Sequence, residues 1–545
     1  MKNPFLLSLI LALSLLIGIV PGCGGGPPAE LLQAEQEILK KNFLVALNLL
    51  RKAIQKAPTH EQVHQKLKLC FQEIEKLSKQ AIQEKKWKEA RSYLEAIFPF
   101  TEKDPVFYVN YATTLLSEPP TLEIESSKDQ DLAIRSLTTY YTFLEQESFP
   151  QEPLIDSLSQ LLEKRLSEKP YSSESIYSTG YFNQDLDYLM EAYLYQRIAK
   201  KIVQSSTSER EQVFAVLSWV FHQVMGNVPE GKKEFAIKPK GIAFRGYGLS
   251  ESSAYLFITL LQQLRIPAQL LQLRKKEGER WNNITALTRV YLENEWYVFD
   301  TLAGVPLIKS DGNLLSYPEC IQHPELLDQV CYGNQSYYFS AKSFDQIQPL
   351  LVLPPRSFFP KIREFQKILD QVQGPVLYIN LAEEAKRSGL PEKDWLTQTS
   401  NLDLWTFPFE LLKESHNPKY LEARDQGMKE VYIFFQARIL QIVGEYQSAE
   451  THYQQFLKTP QFVPSEDFLY FHALNLWESG QTEDALKHFQ SYLEQYPEGC
   501  WSPKVYLYLG ILLFPKSPES AKNYFQKIAL PLKFHLLWKY PQFFQ

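Results

Sequence analysis

Gly248-Leu249-Ser250-Glu251-Ser252-Ser253-Ala254 runs directly into Tyr255-Leu256-Phe257-Ile258-Thr259-Leu260-Leu261-Gln262-Gln263-Leu264 and leaves through Arg265-Ile266-Pro267-Ala268. A glycine turn, a small polar residue at the start, an apolar run of helical length and a proline just past the end mark one buried helix. Short apolar runs follow it. Gln269–Arg274 reads as a strand, and Ala286–Leu292 with Tyr297–Asp300 reads as a hairpin across Glu293-Asn294-Glu295. A helix laid on an antiparallel sheet is an α+β core. Upstream, Ala192, Tyr195, Ile198, Ala199 and Ile202 fall on one helical face, and Val213, Val216, Leu217, Val220 and Phe221 on another. Ser208, with Glu211 three residues on, has the spacing of a capping box, so a second helix is expected to begin there.

This order resembles the transglutaminase-like (papain-like) superfamily, in which the helix starts Gly-x-Cys-x-Asp-x-Ala and the Cys is the nucleophile. The resemblance covers about residues 186–310. Ser250 stands at the Cys position and Ser252 at the acidic one. The family's His lies in a motif like His-x-Trp-Val-Glu-Val-Tyr, and its acid in one like Trp-x-x-x-Asp-Pro. Counting from Val290-Tyr291 puts Thr285 at the His position, and counting from Trp296 puts Asp300 at the acid position. The resemblance therefore implies a degenerate triad, Ser250, Thr285 and Asp300, in which the acid alone remains.

Acyl transfer on cysteine needs a thiolate at a helix N-terminus, a His to move the proton and an acid to orient it. A serine hydroxyl is a weak nucleophile without an adjacent base, and the nearest His in sequence, His222 and His323, match no base position. Ser250 is expected to cap its helix. Asp300 is expected to bind turn backbone at a strand end. The reading is a pseudoenzyme with no catalytic residue. Its alternative is a serine-dependent hydrolase or acyltransferase using Ser250 with a base from elsewhere in the fold.

Both ends of the chain carry repeats. Ala449, Ala485 and Ala521 recur every 36 residues, each followed four residues later by an aromatic: Tyr453, Phe489 and Phe525. Gly444 and Gly480 keep the same interval, and Pro460 and Pro497 close the first two units. Small residues where helices cross, an aromatic one turn on and a closing proline describe stacked helical hairpins resembling tetratricopeptide repeats. Near the other end, Phe43-x-x-Ala46-x-x-x-Leu50-x-x-Ala53 and Trp87-x-x-Ala90-x-x-x-Leu94-x-x-Ile97 share one frame.

The first residues have the shape of a secretory signal: Lys2, the apolar run Phe5–Val20, then Pro21-Gly22-Cys23 and a glycine/proline stretch. Ending at Cys23, they resemble a bacterial lipoprotein processing site. That resemblance implies lipid attachment at Cys23 and an extracytoplasmic place in the cell envelope. Such an address permits disulfides. Cys320 and Cys331 are the pair close enough in sequence to propose, with two independent thiols as the other reading.

The 545 residues are too many for one core. With 44% hydrophobic and 22% charged residues the chain is globular in composition, which sets aside disorder. A net charge of −6 without a long basic cluster gives no reason to expect nucleic acid. No metal or cofactor motif stands out, and His60 and His64 read as solvated. The expected layout is a signal peptide at 1–22, a tether at 23–30, helical repeats at 31–120 and a connector at 121–185. The α+β domain follows at 186–310, then a mixed extension at 311–425 and helical repeats at 426–545. The expected role is a membrane-anchored binding or scaffold protein whose repeats take protein or peptide partners.

Overall fold

The computed structural model describes residues 28–84, 86–97, 183–226, 228, 239–333, 335–352, 360–371, 373–388, 429–458 and 464–543. The expected signal segment, Cys23, the expected connector up to residue 182 and the stretch 389–428 lie outside them. The chain divides into two compact units, Met1–Glu118 and Pro119–Gln545.

The first unit contains two helical hairpins, α1 (Ala29–Leu39) with α2 (Phe43–Lys56) and α3 (Glu61–Gln83) with α4 (Trp87–Ile97). Ala46, Leu50, Ala53, Ala90, Leu94 and Ile97, the positions of the shared frame, are all buried. Each hairpin turns in the same way. The Asn42 N–H returns to the Glu37 carbonyl at 2.8 Å, and the Lys86 N–H to the Ala81 carbonyl at 2.8 Å. This six-to-one bond satisfies carbonyls left open at a helix end and needs a left-handed residue beside it. Lys41 supplies one, at φ 62°.

In the second unit, α5 (Asn183–Ile202), α6 (Glu209–Gln223) and α7 (Pro239–Arg245) lead to α8 (Ser250–Gln263). The Ser208 hydroxyl caps α6 by accepting the Glu211 N–H at 3.2 Å. Nearly every side chain of α8 is buried, as a helix apolar all round requires. It packs on a sheet of order β4-β3-β2-β1-β7, formed by β1 (Ala268–Glu277), β2 (Arg280–Leu292), β3 (Glu295–Asp300), β4 (Val305–Pro306) and β7 (Gln346–Leu350). β2 and β3 join through Glu293 and Asn294, both at positive φ (53° and 67°), the twisted two-residue turn that suits a hairpin. Glu295 pairs with Leu292 and so belongs to the strand.

The sheet reaches past residue 310. β7, from the expected extension, pairs antiparallel with β1 from Leu270↔Leu350 to Arg274↔Gln346. α9 (Tyr317–Gln322) and the small hairpin of β5 (Cys331–Tyr332) and β6 (Gln335–Ser336) add Cys320, Tyr332 and nearby Tyr337 to the core on the sheet's second face. α10 (Pro360–Gln371) and α11 (Leu381–Ser388) follow. The boundary expected at 310 thus cuts through this core, because short strands and proline-broken helices leave little periodicity to read.

The C-terminal part is three hairpins: α12 (Lys429–Ile442) with α13 (Tyr446–Leu457), α14 (Glu466–Glu478) with α15 (Thr482–Gln495), and α16 (Ser502–Leu513) with α17 (Pro518–Phe525). α18 (Leu530–Lys539) closes the array. Ala449, Ala485 and Ala521 are each 0% exposed, and their aromatic followers are buried beside them. Gly444 and Gly480 share φ 83° and the same six-to-one closure, Glu445 N–H to Leu440 and Gln481 N–H to Leu476, each at 2.8 Å. No described helix is long and apolar enough to cross a membrane.

Candidate functional site

α8 begins with its N-terminus behind the turn Gly246-Tyr247-Gly248. The capping position falls to the extended Leu249, whose side chain makes no capping bond, and Ser250 is the first helical residue. The expected capping by Ser250 is therefore not made, since the backbone has already turned helical at that residue. Ser253, one turn further in, points its hydroxyl back at the Gly248 carbonyl at 3.5 Å, the edge of hydrogen-bonding distance.

Cross-strand partners in an antiparallel sheet share a face. Leu270↔Thr288 and Thr288↔Phe299 belong to the face on which α8 lies, with Ala286 and Val290. Leu273↔Thr285, Leu271↔Leu287 and Asp300↔Val305 belong to the other. Thr285 and Asp300 therefore share a face, and α8 packs against the opposite one. The three aligned positions are not drawn into one hydrogen-bonded group.

Asp300 is 1% exposed and fully engaged. Its Oδ1 accepts the N–H groups of Leu302 and Ala303, each at 2.9 Å, which is the turn-binding role expected of it. Its Oδ2 accepts the hydroxyls of Tyr337, at 2.7 Å, and Tyr338. Burial pushes the carboxyl up while these four bonds pull it down, and the net direction is upward. The two tyrosines were not legible as partners, because they lie 37 and 38 residues downstream in a stretch without periodicity.

Among the described residues no histidine hydrogen-bonds Ser250. His222 Nδ1 meets the Tyr508 hydroxyl at 2.8 Å, His323 pairs with Glu325 at 3.2 Å, and His535 Nδ1 donates to the Gly304 carbonyl at 2.8 Å. Burial holds His222 well below the ordinary imidazole value and His535 down to about 3. Cys320 and Cys331 are both free. The first is sunk in the core, where burial pushes its thiol up to about 12, and the second is exposed, so their side chains serve different surroundings. Within the described residues no three His, Cys, Asp or Glu side chains gather where they could hold a metal. His64 is exposed and bonds the Pro58 carbonyl at 2.7 Å.

The turn before α8 is covered. Tyr247 is 1% exposed, and its hydroxyl donates to Asp467 on α14. The Trp501 indole N–H reaches the same carboxylate at 2.9 Å. A Cβ on Gly246, at φ 74°, would stand 2.4 Å from Phe471 and 2.7 Å from Trp501. Around this contact the first helix of each C-terminal hairpin grips main chain of the α6–α7 region. Arg438 on α12 donates to the carbonyls of Ala243, at 2.9 Å, and Phe244, at 3.2 Å. Tyr470 on α14 donates to the His222 carbonyl at 2.9 Å. Lys504 on α16 donates to the carbonyls of Phe221 and Val224. Glu478 accepts from Gln223 at 2.6 Å and Gln441 at 3.1 Å, and its burial pushes the carboxyl up to about 7. A signal for this set is present in the sequence: Arg438 and Lys504 are lone interior cations in apolar helices. Only pairing, which sequence does not show, explains such residues.

Residues 196–301 match the model of the transglutaminase-like superfamily, so the chain contains a transglutaminase-like domain. Its flanks are helical hairpins. Among curated proteins none matches. Similar solved structures include yeast Tom70, at 11% identity over 94% of each chain with a TM-score of 0.19. A second is the APC/C hetero-tetramer Cut9-Hcn1, at 11% identity over 98% of this chain and 96% of that one, with a TM-score of 0.18. Scores that low carry no argument about this fold.

Proposed function

We propose that this chain is a non-catalytic scaffold or interaction protein, in which the transglutaminase-like domain is a rigid platform for the C-terminal helical array. The carrying observation is the sheet register: Thr285 and Asp300 lie on the face away from α8, and Asp300 spends its oxygens on two turn N–H groups and two tyrosines. A carboxylate so engaged has no free oxygen with which to orient a base. The cover over Gly246–Gly248 supports the same reading. The chain is held to a bacterial envelope by a lipid on Cys23, facing away from the cytoplasm, with the helical hairpins presented to protein or peptide partners.

An active-site serine probe such as a fluorophosphonate is expected to leave Ser250 unlabelled. Stoichiometric labelling there would replace this reading with the serine hydrolase one. Cys23→Ala is expected to abolish lipid labelling and to leave the protein soluble or unprocessed. A variant that stays membrane-bound and is cleaved at the same place would sink the anchor.

A further inference from the structure

β1 and β2 run on past the rest of the sheet as a two-stranded arm. β7 pairs with β1 only up to Arg274, and β3 pairs with β2 only from Thr288 onward. Among the described residues the outer backbone edge of β2 from Arg280 to Leu287 thus has no strand partner. Free edges of this kind are ordinarily blunted by charge, proline or a cover. Here Trp281-Asn282-Asn283-Ile284-Thr285-Ala286-Leu287-Thr288 contains neither charge nor proline. Trp281 and Ile284 are 39% and 42% exposed. No other Trp or Phe side chain among those described is exposed to this degree, in a chain that buries its aromatics.

The arm has two unlike faces. The register sets Arg274 opposite Asn283 and Lys276 opposite Trp281 on one of them. Arg274 and Lys276 lie over the Trp281 ring at 5.3 and 6.0 Å. The acid Glu277 falls on the other face, beside Arg280, and is held there by Asn282 at 2.8 Å. That face carries the cations and the aromatic ring. Arg274 also donates to Gln348 at 2.7 Å, and the nearest acid, Asp345, sits at the far edge of β1, where its carboxylate accepts the Lys276 N–H at 2.7 Å.

We propose that the free edge of β2 at Trp281–Thr285 is a docking site for an extended acidic peptide. The peptide adds to the sheet as a strand, through main-chain hydrogen bonds. Its alternate carboxylates meet Arg274 and Lys276, and its apolar side chains meet Trp281 and Ile284. Charge selects this occupant over a second copy of the chain, whose arm would bring the same cations. The inference names a partner class for the interaction role above and rests on that role.

The test is fluorescence anisotropy of the full chain with a short labelled peptide alternating glutamate with valine, and with its lysine–valine counterpart. The acidic peptide is expected to bind saturably and the basic one not. Lys276→Glu and Ile284→Lys, both on exposed positions, should each weaken binding by about tenfold or more, since each sets charge against the docked strand. Absence of binding, or equal binding of both peptides, overturns the proposal. So does a dimer of the unliganded chain, seen by sedimentation, that Ile284→Lys converts to monomer, because the edge then belongs to a second copy. Binding of phosphatidylglycerol vesicles in place of the acidic peptide overturns it as well. Serine-probe labelling of Ser250 would overturn the non-catalytic reading and leave the outcome of this assay unchanged.

Discussion

Lys504 caps a helix that it does not belong to. Its buried amine, on the first helix of the third C-terminal hairpin, donates to the carbonyls of Phe221 and Val224 at the end of α6. Those carbonyls are among the ones a helix leaves without an internal partner. Lys504→Met keeps the length of the side chain and removes the donor. It is expected to cost about 1–3 kcal/mol, the range for a buried acceptor left without its partner. Urea unfolding of the two proteins measures this, and an unchanged midpoint would show that the amine is dispensable.

Two glycines separate conformational strain from crowding. Gly480 sits at φ 83° with nothing within 4 Å of an added Cβ, so Gly480→Ala should cost only about 1–2 kcal/mol of left-handed strain. Gly246 has the same handedness, but its Cβ would also strike Phe471, Trp501 and the Gln223 carbonyl at 2.9 Å. Gly246→Ala should therefore add about 1–3 kcal/mol of overpacking to the same strain. Equal melting temperatures for the two variants would remove the close approach as a cause.

Ala485 lies fully buried between α14 and α15. Replacing it with Leu forces extra volume into the hairpin and is expected to cost about 1–3 kcal/mol. A variant melting no lower than the parent would count against the close crossing.

Stability should respond to acid through His535 and Glu478 in opposite senses. The His535 ring is held down to about 3 by burial, so it stays neutral in the folded protein while the unfolded chain protonates near 6.5. Its contribution is present above about 6.5 and is lost as pH falls from there toward 3. Glu478 is raised from 4.5 to about 7, so its contribution is present below 4.5 and is lost as pH rises through 7. Denaturation midpoints across this range should fall less steeply toward acid in His535→Gln. They should fall less steeply toward neutrality in Glu478→Gln. Parallel profiles for all three proteins would assign the pH response elsewhere.

Restoring the family's residues should not restore chemistry. Ser250→Cys with Thr285→His supplies a thiol and an imidazole, yet the register sets the imidazole on the sheet face away from α8. Residue counting groups positions 250, 285 and 300 as one triad. The structure shows Asp300 already committed to Tyr337 and Tyr338. No thiol-dependent turnover of an acyl substrate is expected from the double variant. Measurable turnover would show that the face assignment does not govern the site.

What could be read in advance depended on periodicity. The Ala449, Ala485 and Ala521 spacing, α8 and the β2–β3 hairpin were legible because one turn of helix or one pleat repeats within a few residues. β7 was not, because Gln346-Ile347-Gln348-Pro349-Leu350 is short and holds a proline, and its pairing with β1 spans more than seventy residues. The charged end of β1, Lys275-Lys276-Glu277, lies beyond the expected strand Gln269–Arg274 because it lacks apolar alternation, and its pairing with Arg280–Asn282 of β2 is what makes it strand. Asp300 was legible as a turn-binding residue from its strand-end position. Its tyrosines were not, because contacts between distant segments leave no local trace.

Arg438, Tyr470 and Lys504 take hold of carbonyl oxygens, and every residue type at 221, 222, 224, 243 and 244 carries one. The grip is blind to what those five positions spell. Substitutions there can alter packing without loosening the polar hold, whereas the three gripping residues have no such latitude. In a population of related chains the held positions should answer to packing alone, since Phe221, Val224 and Ala243 are buried, whereas the three that hold answer to packing and to polar reach together.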